Sequence, residues 1–476
     1  MREHLRPKTL PNVKSPWATS AAERVDRQAA GEAYLGVLRS QLPDLLVRFA
    51  RIKDPRRPGS VRHQIAVLMV YGVLLFAFAM ASRREANREL SRPGLWEALH
   101  VAFPELDSVP HADTLARLLE QIEPADVEAV LLARMRALLR RQKLNALMVE
   151  RGYVVAVDGE QLWKRTTPFA AEAPHRGVGD KAYYAVYVVK AELVCPEGVT
   201  LPLGAEFCEN VVVGADGTID EDVKQDCELQ ACKRLCARLK AAFPRLPMLF
   251  VADSLYACVP IAELCRRYRW DFMVVLKEGK MPALWREAQV LHGLDGEENT
   301  VRQTWRKRDQ TIWWVNDIDH EVRDSAARRR FVFHVVVCEE RWREQRKDGS
   351  EEERTSLHAW VSGRRLTAKN VHRRCNLAAR HRWDIEEVNN AEKHVEHMTH
   401  AFSLNWQAIK SWYYLMLLGT LIQTLALYSV HLWRWVQERG VHGATLFIWE
   451  TYSGAWLDLE RMRQILKRPA QLRLIV

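Results

Sequence analysis

The sequence predicts an α/β protein: a mixed-sheet core, a helical region ahead of it, and a β-rich tract inserted into it. Three observations carry that expectation. Apolar residues recur at helical spacing through roughly the first 145 positions. From 153 to 277 short apolar runs alternate with helical stretches in the order strand, strand, strand, helix, strand, helix, strand, which is the pattern of a mixed sheet. From about 280 to 366 strands separated by charged loops replace that alternation, and helices return at 367.

Taken in order, residues 1–30 read as a polar arm and 31–54 as a helix, so 1–54 form a basic arm and first helix. DPRRPGS (54–60) combines two prolines and a glycine and breaks the chain there. Residues 55–148 form a helical, candidate DNA-binding domain. Within it PHADTLARLLEQIEP places Asp113 to cap a helix bearing Leu115, Leu118, Leu119 and Ile122. Paired helices are one means of reading a DNA groove; a plain packing domain is the alternative. Residues 149–279 are the first part of the core: YVVAVDGEQLW, two strands joined by a turn at Pro196–Gly198, a helix over 221–243, the strand PMLFVADSLYA, a helix over 261–270 and the strand DFMVVLK. The β-rich insertion is 280–366, the second part of the core 367–437, and the tail 438–476.

The balance of charge is basic, 70 Lys and Arg against 60 Asp and Glu, which favours a polyanionic partner. Residues 1–62 sharpen this with 13 basic against 6 acidic side chains, ending in a run that includes Arg56 and Arg57. The nine cysteines contain no CxxC pair, so neither a zinc ribbon nor a disulfide framework is signalled, and a reducing cytoplasm is the simple reading. Cys227, Cys232 and Cys236 fit helical packing. The N-terminus is polar and proline-rich, unlike a secretory signal. Two apolar runs, Ile65–Ala81 and Trp412–Leu432, reach membrane-span length, but the second holds Thr420, Gln423, Thr424 and Ser429. Buried core helices account for both better than a membrane does.

Two predicted strands end in an acid, VVAVDG at Asp158 and LFVADS at Asp253, where side chains from neighbouring strands converge at a sheet rim. Each alone also reads as a turn former. A third acid lies in RHRWDIEEVNNAEKHVEH. On a straight helix Arg382, Glu386 and Lys393 share one face along about 16 Å, a carboxylate flanked by two cations. Ion pairs on an exposed helix give the same spacing.

In these motifs the chain resembles the DDE transposases of bacterial insertion sequences, in the broad group of insertion sequence 4 and the related H-repeat elements. Arg382-x3-Glu386-x6-Lys393 matches that family's Tyr-x2-Arg-x3-Glu-x6-Lys signature, with Ala379 at the Tyr position. The acids fall in order, and DPRRPGSVRHQIAVLMVYGVLL followed by PHADTLARLLEQI is similar to the H-repeat branch. The resemblance implies an RNase-H-like core with Asp158, Asp253 and Glu386 as catalytic acids and ligands of two Mg²⁺ ions, for which Mn²⁺ can substitute. It implies cutting of double-stranded DNA at element ends, joining of 3′-hydroxyls to target DNA, action as a homodimer, and a bacterial cytoplasmic setting. Arg382, Lys393, Arg56 and Arg57 would contact DNA, and Trp313 or Trp314, or else Trp305, would hold a displaced base, core packing being the commoner role of Trp in a β-tract. A general RNase-H-like nuclease and a non-catalytic DNA-binding descendant are the alternatives. His394, His397 and His400 drift around a helix, so helix surface is a better reading than a zinc site.

Overall fold

The computed structural model describes residues 15–102, 104, 108–177, 179–210, 227–295, 297–324, 327–346, 349–395, 397–467 and 471–475. The first 14 residues of the expected arm and positions 221–226 of the expected helix lie outside them. In chain order the helical region comprises α1 (Ser20–Phe49), α2 (Ile65–Ala77), α3 (Arg83–Glu89), α4 (Pro93–Ala102), α5 (Ala112–Leu119) and α6 (Pro124–Arg140). Next come β1 (Met148–Val149), β2 (Gly152–Arg165), β3 (His175–Arg176), β4 (Tyr183–Val194), β5 (Thr200–Phe207) and α7 (Glu228–Ala242). They are followed by β6 (Met248–Ala252), α8 (Val259–Tyr268), β7 (Asp271–Val275) and α9 (Pro282–Asp295). The β-rich tract is β8 (Thr300–Trp305), β9 (Arg308–Asp324), β10 (Ala327–Gln345) and β11 (Glu351–Ser362). The chain ends in α10 (Asp384–His394), α11 (Trp406–Leu427), α12 (Trp433–Ser453) and α13 (Leu459–Leu466). No helix of the described residues is long and apolar enough to cross a membrane.

The chain divides into two compact units. One comprises Met1–Asp44, Ala86–Val109 and Leu425–Ile475. Here the expected arm is helix from Ser20 onward, and the described part of the expected tail is mostly α12 and α13. Arg27 in α1 pairs with Glu23 at 2.8 Å and Glu450 at 3.2 Å, and its guanidinium lies over Phe447 and Trp456. The Tyr452 hydroxyl donates to the Gly31 carbonyl at 2.8 Å. Stacked aromatics on a buried arginine supply the contacts that a polar-looking sequence hid.

The other unit comprises Leu45–Glu85 and Pro110–Thr424. Its sheet is mixed, in the order β3-β4-β2-β6-β7-β11-β10-β9-β8, with β5 also paired to β4 and β1 to β2. β2 runs antiparallel to β4 but parallel to β6, and β6 is parallel to β7. The tract is not a separate body: β11 pairs antiparallel with β7 through Trp360, Val361 and Ser362, so one sheet runs from core into tract. One face of it is a continuous apolar layer, with Val154 and Ala156 of β2, Leu249 and Val251 of β6, Met273, Trp360, Val336 and Trp314. Alternating residues supply it, as a strand's period of two requires. Cys375, Ala378, Ala379 and Ile385 lie on that layer.

α2 is buried along its whole length. It packs on α11 at two glycines: a side chain at Gly72 would overlap Leu415, and one at Gly419 would overlap Phe76 and the backbone of Val73. The apolar runs are core helices that approach this closely because these positions lack a Cβ. His111, not Asp113, caps α5, its Nδ1 accepting from the Asp113 amide at 3.2 Å. Asp113 instead pairs with Arg83 at 3.1 Å.

Candidate active site

β2 does not stop at Asp158 but continues to Arg165, so the first acid sits mid-strand. Its place is nevertheless at a rim. The parallel pairing of β2 with β6 ends at Val157 opposite Ala252; Asp158 is the next residue of β2, and Asp253 the first residue after β6. Counting in twos from Ala156 and from Val251 puts both on the face covered by residues 375–385. Asp253 also serves as a turn former: its Oδ1 accepts from the Leu255 amide at 2.9 Å. The turn-forming role considered for it is therefore present.

The third acid arrives on α10, which is fastened to the same face. Asn389 Nδ2 donates to Asp158 Oδ2 at 3.3 Å. One turn on, buried Glu392 pairs with Lys190 of β4 at 2.7 Å, and Lys190 is the register partner of Asp158. Glu386 lies three residues before Asn389, on its side of the helix; Glu387, two residues before, is turned about 200° away and is exposed. The expected straight helix over 382–393 is not what forms. Residues Arg373–Ala378 make a π turn and Ala379–Trp383 a 3-10 turn before α10 begins. Arg382 is buried in that 3-10 turn and pairs with Glu386 at 2.7 Å. Lys393 pairs with Glu160 of β2.

A fourth carboxylate completes the acidic end. Glu228, the first residue of α7, accepts from the Tyr187 and Tyr256 hydroxyls, each at 2.7 Å. It lies over Gly159, where any side chain would overlap its carboxylate. Burial, reinforced by Asp253 and Glu228, pushes the Asp158 carboxyl up to about 6, although the Arg382 guanidinium and the Gly159 amide act to lower it. Sequence reasoning missed Glu228, Asn389 and Glu160. The Gly after Asp158 was the one available signal that something approaches closely there.

Among the described residues no group of three or more His, Cys, Asp or Glu side chains is placed to hold a metal ion. Glu386 is drawn to Arg382 and Asp253 to its own turn. The donor chemistry still fits a hard divalent cation: the groups are carboxylate oxygens, and those around Asp158 crowd negative charge at one point.

Other expected site residues are placed elsewhere. Trp313 and Trp314 are buried; His292 of α9 stacks on Trp313 at 4.1 Å and Trp314 belongs to the sheet core, so neither presents a face to a base. Trp305 is partly exposed, with Arg306 and Arg380 over its ring. Arg56 is folded back onto Asp54 and the His63 carbonyl, at 2.6 and 2.8 Å, whereas Arg57 is exposed. α10 ends at His394 and His397 has φ 55°, so the three histidines do not share a helix.

Residues 46–135 match the family model described as DDE_Tnp_1-associated. The matched stretch ends ahead of the first acid. No curated protein matches the chain. Among solved structures it is similar to the piggyBac transposase in a synaptic complex with hairpin DNA, with TM-score 0.38 and 12% identity over 92% of this chain and 82% of that one.

Proposed function

We propose that this chain is a DDE-type transposase of the bacterial insertion-sequence kind, close to the insertion sequence 4 and H-repeat group. It acts in the cytoplasm as a homodimer on double-stranded DNA, and its core is RNase-H-like. The reading rests on one observation: Asp158 and Asp253 each follow the last parallel pair of β2 with β6, and α10, which bears Glu386, is tied to Asp158 through Asn389. The DDE_Tnp_1-associated stretch ahead of the acids and the mixed strand order support it.

Asp158, Asp253 and Glu386 would hold two Mg²⁺ ions, or Mn²⁺ in their place, which when bound activate the attacking oxygen and stabilise the leaving one. The protein's own part is positional. Asn389 orients the Asp158 carboxylate. Arg382, buried against Glu386, steadies the third acid and offers its remaining donors to a phosphate. Lys393 holds the far end of α10 to β2 through Glu160. In the first step a water oxygen attacks phosphorus at the element end and the P–O3′ bond breaks, leaving a 3′-hydroxyl. That hydroxyl then attacks a target phosphodiester, and the target's own 3′-oxygen leaves.

The test compares neighbouring carboxylates. Glu386→Gln is expected to abolish Mg²⁺-dependent nicking of a labelled end substrate, whereas Glu387→Gln lowers it less than about tenfold, or roughly 1.4 kcal/mol. Lys393→Ala falls between them. An active Glu386→Gln, with circular dichroism showing both variants folded, would remove Glu386 from the site.

A further inference from the structure

At the other end of β2 and β6 lies a second, cationic site. A cavity of about 250 Å³ is lined by Glu150, Arg151, Arg269, Asp271, Arg364 and Arg374 beside Gly152 and Met248, the first residues of the two strands. The five residues of β6 separate it from Asp253 by roughly 16 Å, so it is distinct from the acidic end.

Its charge is unbalanced. Arg374 is fully buried, donates to Asp271 at 2.6 and 3.0 Å and to the Ser362 hydroxyl at 2.9 Å, and its Nε has no hydrogen-bond partner among the described residues. Glu150 lies 3.4 Å from the same guanidinium, and Arg364 lies 3.5 Å from Asp271. The two acids are therefore already shared by two arginines. Arg151 and Arg269 are exposed, and no hydrogen-bond or ion-pair partner of either side chain is found among the described residues.

Both sit on left-handed backbone. Glu150 and Arg151, at φ 49° and 67°, form the two-residue turn between β1 and β2, and Arg269, at φ 58°, closes α8. Gly or Asn normally fills such positions, and an arginine there costs about 1–2 kcal/mol. The strain serves no packing, since neither side chain is buried. A neighbouring cleft of about 760 Å³ shares Pro247 and adds Arg136, Arg140 and Arg245, extending the positive lining.

We propose that this cavity binds phosphate groups, and that the continued row of arginines takes them from a nucleic-acid backbone. Guanidinium forks suit phosphate oxygens, and a row of them suits a chain of phosphates better than a single ion.

The test uses the full chain without divalent cation. Random duplex DNA is titrated at several salt concentrations, and inorganic phosphate is titrated separately by calorimetry. The variants are Arg151→Asn with Arg269→Asn, a residue that left-handed backbone accepts, and the corresponding pair of lysines. The asparagine pair is expected to weaken DNA binding about tenfold and to lower the salt slope by about two, while the lysine pair keeps the slope and loses less affinity than the asparagine pair. Saturable phosphate binding that the asparagine pair loses would assign the pocket to a free phosphate instead of a backbone. Unchanged DNA affinity and slope, together with no saturable phosphate binding, overturns the proposal. No cleavage is measured and no acid is altered, so this failure and a failure of the transposase reading are separate results.

Discussion

Asp158 carries a proton more readily in the folded chain than it would unfolded, its carboxyl standing near 6 against an ordinary 3.8. For a carboxyl raised in this way, the stability it contributes is full below about pH 4 and is lost as pH rises through 6. At pH 7.5 and without divalent cation the charged form is a burden, on the order of 1–2 kcal/mol once solvent screening is allowed for. Asp158→Asn is therefore expected to stabilise the cation-free chain at pH 7.5 by about that amount, and to make little difference at pH 4. Urea unfolding at the two pH values measures it; equal stabilities at pH 7.5 would mean that the crowded acids do not strain the fold. The apolar run closing in Asp-Gly drew attention to this acid in the sequence, although alone it reads equally as a turn former. The groups that crowd it were not readable there. A glutamate in a first helical turn is common on electrostatic grounds alone, so nothing in the sequence set Glu228 apart.

At the scale of elements, the joint between β2 and α7 depends on Gly159. A methyl group there would overlap Glu228 and push it off Tyr187 and Tyr256. Gly159→Ala is expected to destabilise by about 1–3 kcal/mol, and Gly159→Ala with Glu228→Ala by clearly less than the two single changes added together. Additive losses in thermal unfolding would show that the two residues do not meet. Strand patterning predicted β2, β4, β5, β6 and β7 because each is a run of apolar or alternating residues long enough to declare its period. The tract was harder. Consecutive Trp313 and Trp314 point to opposite faces, and spacing alone leaves open what covers each. Both are buried because α9 covers the second face, and a helix lying across a sheet leaves no trace in the spacing of the strand beneath it. The tract's own polar network escaped notice for a similar reason. Glu340, desolvated yet held well below the usual carboxylate range by hydrogen bonds from His358, Gln310, Arg380 and Arg308, gathers donors from three separate stretches of chain.

For the whole molecule, the sequence placed a boundary near 148, with helices before it and the catalytic core after. Compactness divides the chain differently. Residues 45–85 and 110–145 belong to the unit that holds the acids, and 86–109 group with the two chain ends. A deletion of residues 1–145 accordingly removes α2 from its seat against α11 at Gly72 and Gly419, and strips Glu128 of α6 from its 3.2 Å pairing with Arg238. The truncated chain is expected to lose cooperative thermal unfolding and to bind a hydrophobic dye. A sharp transition near that of the full chain would show that the core is self-sufficient. Periodicity reports where helices lie but not which helices share a core, and the shift in texture at 150 marks a change of element type inside one unit.

The segment before α10 bears on what a signature motif means. Seven residues on a uniform helix return to nearly the same direction, so Tyr-x2-Arg-x3-Glu describes one stripe only while the pitch is constant. Here a π turn and a 3-10 turn intervene, and their residues advance by different angles from those of an α-helix. Ala379 consequently points into the packed layer beside Cys375 and Ile385. A tyrosine there would have to displace core side chains before it could reach any ligand. The alanine is thus the stopper of a change in gearing: it lets the chain shift pitch within one turn and still bring Arg382 against Glu386.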